Sequence, residues 1–424
     1  MAAPAARVSR VFPWIVFTLT FGLLLSDYMS RQVLSAVFPF LKQQWGLTDT
    51  QLGSLTSVVA LAVGLLAAPL SLAGDRWGRV RAIVVMATVW SLATVGCALA
   101  AGYGHLLVAR LLLGVGEAAY GSVGLAVVLA VFPARRRASL TGAFMAAGSF
   151  GSVLGVALGG VLAVQFGWRW AFAAMGVFGL VLAGLYRLTI SERSLAAHRS
   201  DAGAGPSPAA GEQRARLGTL FATPAVVLAY LGGGLQLFIA GSLFGWLPSY
   251  FNRAYAMAPD RAAPVAALFI LVMGAGMAVC GLITDRAGRT RPAAEWTTAV
   301  VFAVLTLVFL GAGFAIRPGG PQLLLLAVGC FFAAGTAGPT GALVARLTHE
   351  SIRATAFGVL TLFNNMLGLA AGPIVTGVLA DRLGLETAMR YVPLAAVAAT
   401  ILLVAGRRAH SAGLRRLEPP VRAR

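Results

Sequence analysis

Gly74-Asp75-Arg76-Trp77-Gly78-Arg79-Val80-Arg81 returns in the second half of the chain as Thr284-Asp285-Arg286-Ala287-Gly288-Arg289-Thr290-Arg291. Asp, Arg, Gly, Arg and Arg recur at identical spacing. A second echo pairs Gly151, Gly155, Gly160, Val161, Leu162 and Ala163 with Gly368, Gly372, Gly377, Val378, Leu379 and Ala380. Both pairs of copies are separated by about half the chain, which marks an internal duplication.

Composition says what was duplicated. The 424 residues are 58% hydrophobic and only 11% charged, with 51 glycines, a balance that fits an all-α membrane protein and leaves a soluble core with too much apolar surface. Runs of roughly 20 apolar residues, enough to cross ~30 Å of hydrocarbon, recur at about 13–39, 51–73, 82–101, 106–131, 140–164 and 170–190, then at 222–247, 263–283, 295–316, 322–345, 354–380 and 389–406. Each repeat therefore holds six spans. An even number gives both copies the same orientation, a parallel repeat about an axis along the membrane normal. The expected organisation is a six-helix bundle at 1–190, a cytoplasmic linker at 191–218, a second six-helix bundle at 219–406 and a basic tail at 407–424. Ser200-Asp201-Ala202-Gly203-Ala204-Gly205-Pro206-Ser207-Pro208 gives the linker its small, polar, flexible character. The first span follows Arg7 and Arg10 as a signal peptide would, but it runs on through Asp27 and Arg31 without a convincing cleavage site and is read as a retained helix.

The net charge of +19 is distributed by membrane side. With both termini cytoplasmic, the inner face receives Arg7, Arg10, Arg76, Arg79, Arg81, Arg135 to Arg137, Arg187, Arg193, Arg199, Arg214, Arg216, Arg286, Arg289, Arg291, Arg346, Arg353 and the tail arginines. The outer loops keep only Lys42, Arg169, Arg253, Arg261, Arg317, Arg382 and Arg390. This is the positive-inside bias, and it argues against a nucleic-acid partner. Abundant alanine and arginine with almost no lysine point to a GC-rich bacterial genome, and so to a bacterial inner membrane.

The chain resembles the major facilitator superfamily from its first span to its last. The two Asp-Arg-x-Gly-Arg loops match that family's cytoplasmic motif between its second and third helices and its repeat between the eighth and ninth. The leading glycine, four residues before the aspartate, is Ser71 in the first copy and Gly281 in the second. The resemblance implies two pseudo-symmetric six-helix bundles, transport by alternating access and gating by Asp75, Arg76, Gly78 and Arg79 with Asp285, Arg286, Gly288 and Arg289. Arg110-Leu111-Leu112-Leu113-Gly114-Val115-Gly116-Glu117-Ala118-Ala119-Tyr120 is similar to the Gly-Glu-Ala motif of the organic anion:cation symporters and the spinster-like transporters, which implies proton and substrate roles for Glu117 and Arg110. Tyr28-Met29-Ser30-Arg31-Gln32 is similar to the Asn-Tyr-x-Asp-Arg-Gln segment of those branches. Ser30 stands where their acid does, and Asp27 lies one turn earlier.

The residues themselves single out the same four positions. Asp27, Arg31, Arg110 and Glu117 are ionisable groups at bilayer depth, each costing on the order of 3 kcal/mol or more, and such groups are rarely retained without a pathway, partner or ligand. Arg110, Gly114, Glu117 and Gly121 share one helical stripe, as do Asp27 and Arg31. At about 1.5 Å per residue from the outer ends, Glu117 and Asp27 each lie roughly 16 Å deep and the arginines roughly 6 to 10 Å. The expected chemistry makes Glu117, with Asp27, the proton-coupling site and Arg110 or Arg31 the anion anchor: a proton on Glu117 frees an arginine for a substrate carboxylate or phosphate. Static ion bridges are the competing reading of the same pairs.

Gln236, Asn364 and Asn365 are candidate substrate contacts in the second half, with interhelical hydrogen bonding as the alternative. Trp246 and Tyr250 suit either the cavity or an interfacial aromatic belt. Tyr120 is assigned to packing, and Gly151, Gly155 and Gly159 to close helix contact. Cys97, Cys280 and Cys330 fall within spans as apolar packing residues. No disulfide framework or metal-ligand spacing is present, and His105, His198, His349 and His410 form no constellation with a nucleophile. The functional expectation is a non-enzymatic secondary transporter without cofactor or metal, acting as a monomer in a lipid bilayer, that moves a small organic anion together with protons. A spinster-like carrier of lysophospholipid or another amphiphile, and a proton-coupled drug or metabolite exporter, are the alternatives.

Overall fold

The computed structural model describes residues 11–198, 219–290, 293–349 and 352–415. Among them, twelve helical spans are long and apolar enough to cross a membrane. In the first half these are α1 (Phe12–Trp45), α2 (Asp49–Trp77), α3 (Arg79–Ala98), the pair α4 (Tyr103–Glu117) and α5 (Tyr120–Val131), α6 (Arg137–Phe166) and α7 (Trp168–Thr189). A short α8 (Glu192–Ala197) follows, and after the undescribed centre of the linker comes a short α9 (Thr219–Ala222). The second half has α10 (Pro224–Ala254), α11 (Pro259–Thr290), α12 (Ala294–Ala315), the pair α13 (Gly320–Ala333) and α14 (Ala337–Leu347), then α15 (Arg353–Phe363), α16 (Ala371–Leu383), α17 (Leu385–Tyr391) and α18 (Ala395–Arg415).

Local chemistry sets the ends. Pro13 and Pro224 sit in the first turns of α1 and α10, where a missing N–H costs nothing. Thr48 and Gln51 close a reciprocal capping box at the start of α2. Gly46 ends α1 in the left-handed region at φ 63°, its N–H bonded to the Lys42 carbonyl.

Three features depart from the sequence reading. The fourth span is two helices broken immediately after Glu117, and the tenth breaks in the same way after Ala333. The eleventh span contains a π-helical stretch, Asn364–Ala370, between α15 and α16. The last span continues as helix to Arg415, so the first residues of the expected tail belong to it.

Helices of the first half pack through small residues. A Cβ on Gly155 of α6 would stand 2.7 Å from the Met29 carbonyl of α1, so only glycine lets these backbones meet. The two halves meet along α2 against α16, α6 against α11 and α1 against α10. One continuous buried apolar cluster joins them, from Val33, Val37 and Phe38 to Leu243, Trp246 and Ile270.

Candidate transport site

The Arg31 guanidinium on α1 bonds the Glu117 carboxylate on α4, with Nε 2.9 Å from Oε1 and Nη2 on the same oxygen. Glu117 is almost wholly enclosed, whereas the Arg31 side chain keeps 19% of its surface exposed. Asp27, one turn from Arg31, lies beside Glu117, so two carboxyl groups flank one arginine. Glu117 Oε2 and Asp27 Oδ1 are buried without a hydrogen-bond partner. Glu117 is the last residue of α4, and its neighbour Gly116 lets the helix press onto α3: a Cβ there would lie 2.6 Å from the Trp90 nitrogen. Close packing therefore sets where the acid sits.

Arg110 is placed differently. It is fully buried, and its guanidinium donates to three main-chain carbonyls: Leu55 at 3.2 Å, Ser30 at 3.0 Å and Arg31 at 3.1 Å. It ties α1 and α2 to α4 and does not line the cavity described below. Two turns of one helix separate it from Glu117, so the expected shared duty of these two residues divides: Glu117 turns to Arg31, and Arg110 turns to backbone.

A cavity of about 260 Å³ opens between the halves beside Arg31, bounded by α1, α2 and α6 on one wall and by α10, α11, the break after α13 and the π-helical stretch on the other. Met145 and Met277 in its lining are 45% and 39% exposed, so the cavity is not enclosed, and the polar contacts that join the halves lie on the side away from the linker. The far side is shut. Arg253 at the end of α10 forks onto Asp49 of α2, at 2.8 and 2.7 Å, and Lys42 joins at 2.7 Å. Asp381 of α16 accepts the N–H groups of Asp49 and Thr50 at 2.7 and 2.8 Å, capping α2 from the opposite half. Beneath them Phe38 meets Trp246 at 5.2 Å between ring centroids, and Trp246 Nε1 donates to the Pro373 carbonyl.

The far-side lock was absent from the sequence reading. Asp49 and Asp381 sit at span ends, where an acid looks like ordinary loop charge, and only the pairing of spans two and eleven brings them together.

The other expected residues fall into place individually. Gln236 is buried against its own half, donating to Thr306 Oγ1 at 2.9 Å and the Ala333 carbonyl at 3.3 Å, outside the cavity lining. Asn365 donates to the Thr361 carbonyl one turn back, and Asn364 Oδ1 is buried without a partner, both at the start of the π-helical stretch. Tyr120 packs edge-on to Trp90 and donates to the Thr20 carbonyl. Trp246 and Tyr250 are buried and form no interfacial belt; Tyr250 accepts from Gln322.

In the two duplicated loops the Asp75 side chain lies outside the described residues, while Arg76, Asp285, Arg286 and Arg289 are exposed and Gly78 and Arg79 half-buried. An acid abuts each loop: Glu192, at the start of the linker, accepts from the Val80 N–H at 2.7 Å, and Glu295 lies against Gly288 while pairing with Arg346 at 2.9 Å. Among the described residues no group of His, Cys, Asp and Glu has the arrangement of a metal site.

A family model described as Major Facilitator Superfamily matches residues 20–365. The hexuronate transporter of Bacillus subtilis is 24% identical over 88% of this chain and 88% of its own length. The gallate transporter of Pseudomonas putida is 29% identical over 72% of each. Among solved structures, a bacterial homologue of the human lysosomal transporter spinster, in an inward-facing and unoccupied conformation, superposes with a TM-score of 0.84 at 19% identity, covering 96% of this chain and 99% of that one. The chain belongs to the major facilitator superfamily: it is a multi-pass membrane transporter and not an enzyme.

Proposed function

We propose that this transporter is a proton-coupled symporter of small organic anions, working by alternating access in a bacterial inner membrane with both termini cytoplasmic. The observation that carries the reading is the buried Arg31–Glu117 pair with the Asp27 carboxyl beside it, at the edge of a cavity between the halves. Arg31 is the cation that lines the cavity, and its planar fork suits a carboxylate. While Glu117 is ionised, that fork is occupied. A proton taken up by the carboxyl pair releases it, and a substrate carboxylate takes the vacated place. One proton per monoanion leaves the loaded site with the charge of the empty one, which favours an electroneutral cycle. Arg110, bonded to three main-chain carbonyls and outside the cavity lining, acts as a structural tie.

With the linker side cytoplasmic, the state described faces inward. The cycle then requires the Arg253–Asp49 and Asp381–α2 contacts to part as the linker side closes. A volume near 260 Å³ suits a small solute better than a lysolipid tail.

Proteoliposome uptake under an imposed pH gradient, with membrane potential clamped, tests the proposal. The Glu117→Gln variant is expected to exchange substrate across the membrane without accumulating it. Gradient-driven accumulation by that variant at the unsubstituted level would remove Glu117 from the coupling role.

A further inference from the structure

The walls of the cavity are chemically unlike. The first-half wall presents Tyr28, Arg31, Gln32, Thr56, Ser149 and Ser152 beside Met145, Ala60 and one glycine, and Thr56 Oγ1 is buried with no partner. The second-half wall presents Leu237, Phe244, Ile270, Met273, Met277 and Leu369 with Ala334 and two glycines, and it contributes no side-chain nitrogen or oxygen. Resting on the anion-symport reading, we infer that the substrate is a monocarboxylate with its polar groups at one end and a compact apolar body, typically an aromatic ring, at the other.

A carboxylate on Arg31 has donors and acceptors only on the wall that carries Arg31. The rest of the molecule must then face Phe244, Met273 and Leu369. A ring fits there: its face packs on aliphatic surface, and thioether sulfur is a favourable neighbour for an aromatic edge. A sugar acid presents hydroxyls all round, and those turned to the second wall exchange water for methyl and methylene groups, an exchange that disfavours each unpaired hydroxyl. Thr56 and Gln32 leave room for one polar substituent close to the carboxylate.

Two measurements separate this inference from the reading it rests on. The purified full chain is assayed for binding of benzoate, 3-phenylpropionate and glucuronate in detergent, and for pH-driven uptake of each in proteoliposomes. Benzoate or phenylpropionate is expected to bind at least tenfold more tightly than glucuronate. The variants Ala334→Ser and Phe244→Tyr, each adding a hydroxyl to the apolar wall, are expected to narrow that ratio at least threefold. Glucuronate binding as tight as the aromatic acids overturns the inference and leaves symport standing. Preferential aromatic binding without pH-driven uptake upholds the inference and overturns the coupling. Binding of none of the three overturns the inference.

Discussion

The first six spans keep their charges inside, and the last six keep theirs at the ends. Asp27, Arg110 and Glu117 are buried at mid-span with the part-exposed Arg31 among them, whereas the buried acid among the described residues of the second half, Glu295, opens α12 beside Arg346 on the linker side. At mid-span the second half offers neutral groups tied to their neighbours, such as Gln236 on Thr306 and Thr376 on Ser242. One repeat has thus taken up the charge chemistry while the other supplies shape: an apolar wall, a π-helical stretch and tight glycine contacts such as Gly368 on Leu237. Duplication of a six-span unit does not oblige its copies to share a task.

The division predicts unequal mutational effects. Arg31→Gln should cost the most, weakening substrate binding by roughly 100-fold, because it removes the cation lining the cavity and leaves the buried Glu117 carboxyl without its partner, a loss of ~2–5 kcal/mol. Equilibrium binding measures it, with Arg31→Lys recovering part. An Arg31→Gln protein that binds within threefold of normal would move the anchor elsewhere. Arg110→Met sharpens the contrast within the first half. Its loss removes three charge-assisted bonds and should lower stability by about 2–3 kcal/mol, read as a fall in the thermal midpoint in detergent, while affinity per folded molecule stays within threefold. If affinity falls as far as for Arg31, the separation of the two arginines fails.

The far-side lock tests the joint between the halves. Asp381→Ala deletes the cap that spans them and should shift the conformational balance by about 1–2 kcal/mol towards the far-side-open state. Spin-label distances between the far ends of α2 and α16 report the shift, on a background where Cys97, Cys280 and Cys330 are buried. Unchanged distances would mean the lock is incidental. Gln236→Leu should do least, costing about 1 kcal/mol of stability and leaving the uptake KM within twofold. A tenfold change would return polar recognition to the second half.

The spans and the repeat were legible because hydrocarbon thickness and duplication leave marks that need no tertiary information. Depth was legible too: counting rise along two antiparallel helices put Asp27 and Glu117 at one level, and they are neighbours. Which arginine faces which acid was not, since that depends on how α1 and α4 are rotated about their own axes, and glycine contacts such as Gly116 on Trp90 decide it. The lock at Asp49, Arg253 and Asp381 was hidden for a related reason: its residues belong to three spans that become neighbours only on assembly. The π-helical stretch after Phe363 left no sign in the apolar pattern, because one widened turn changes the register without changing the composition.

The breaks in spans four and ten separate backbone shape from side-chain chemistry. Both interrupt a helix of nearly equal length at the same place in the repeat, yet Glu117 stands at one and Ala333 at the other. The interruption is shared by both six-span repeats, and the acid is carried by one of them. The shape of the break therefore does not depend on the acid: the same interruption forms where alanine stands in its place.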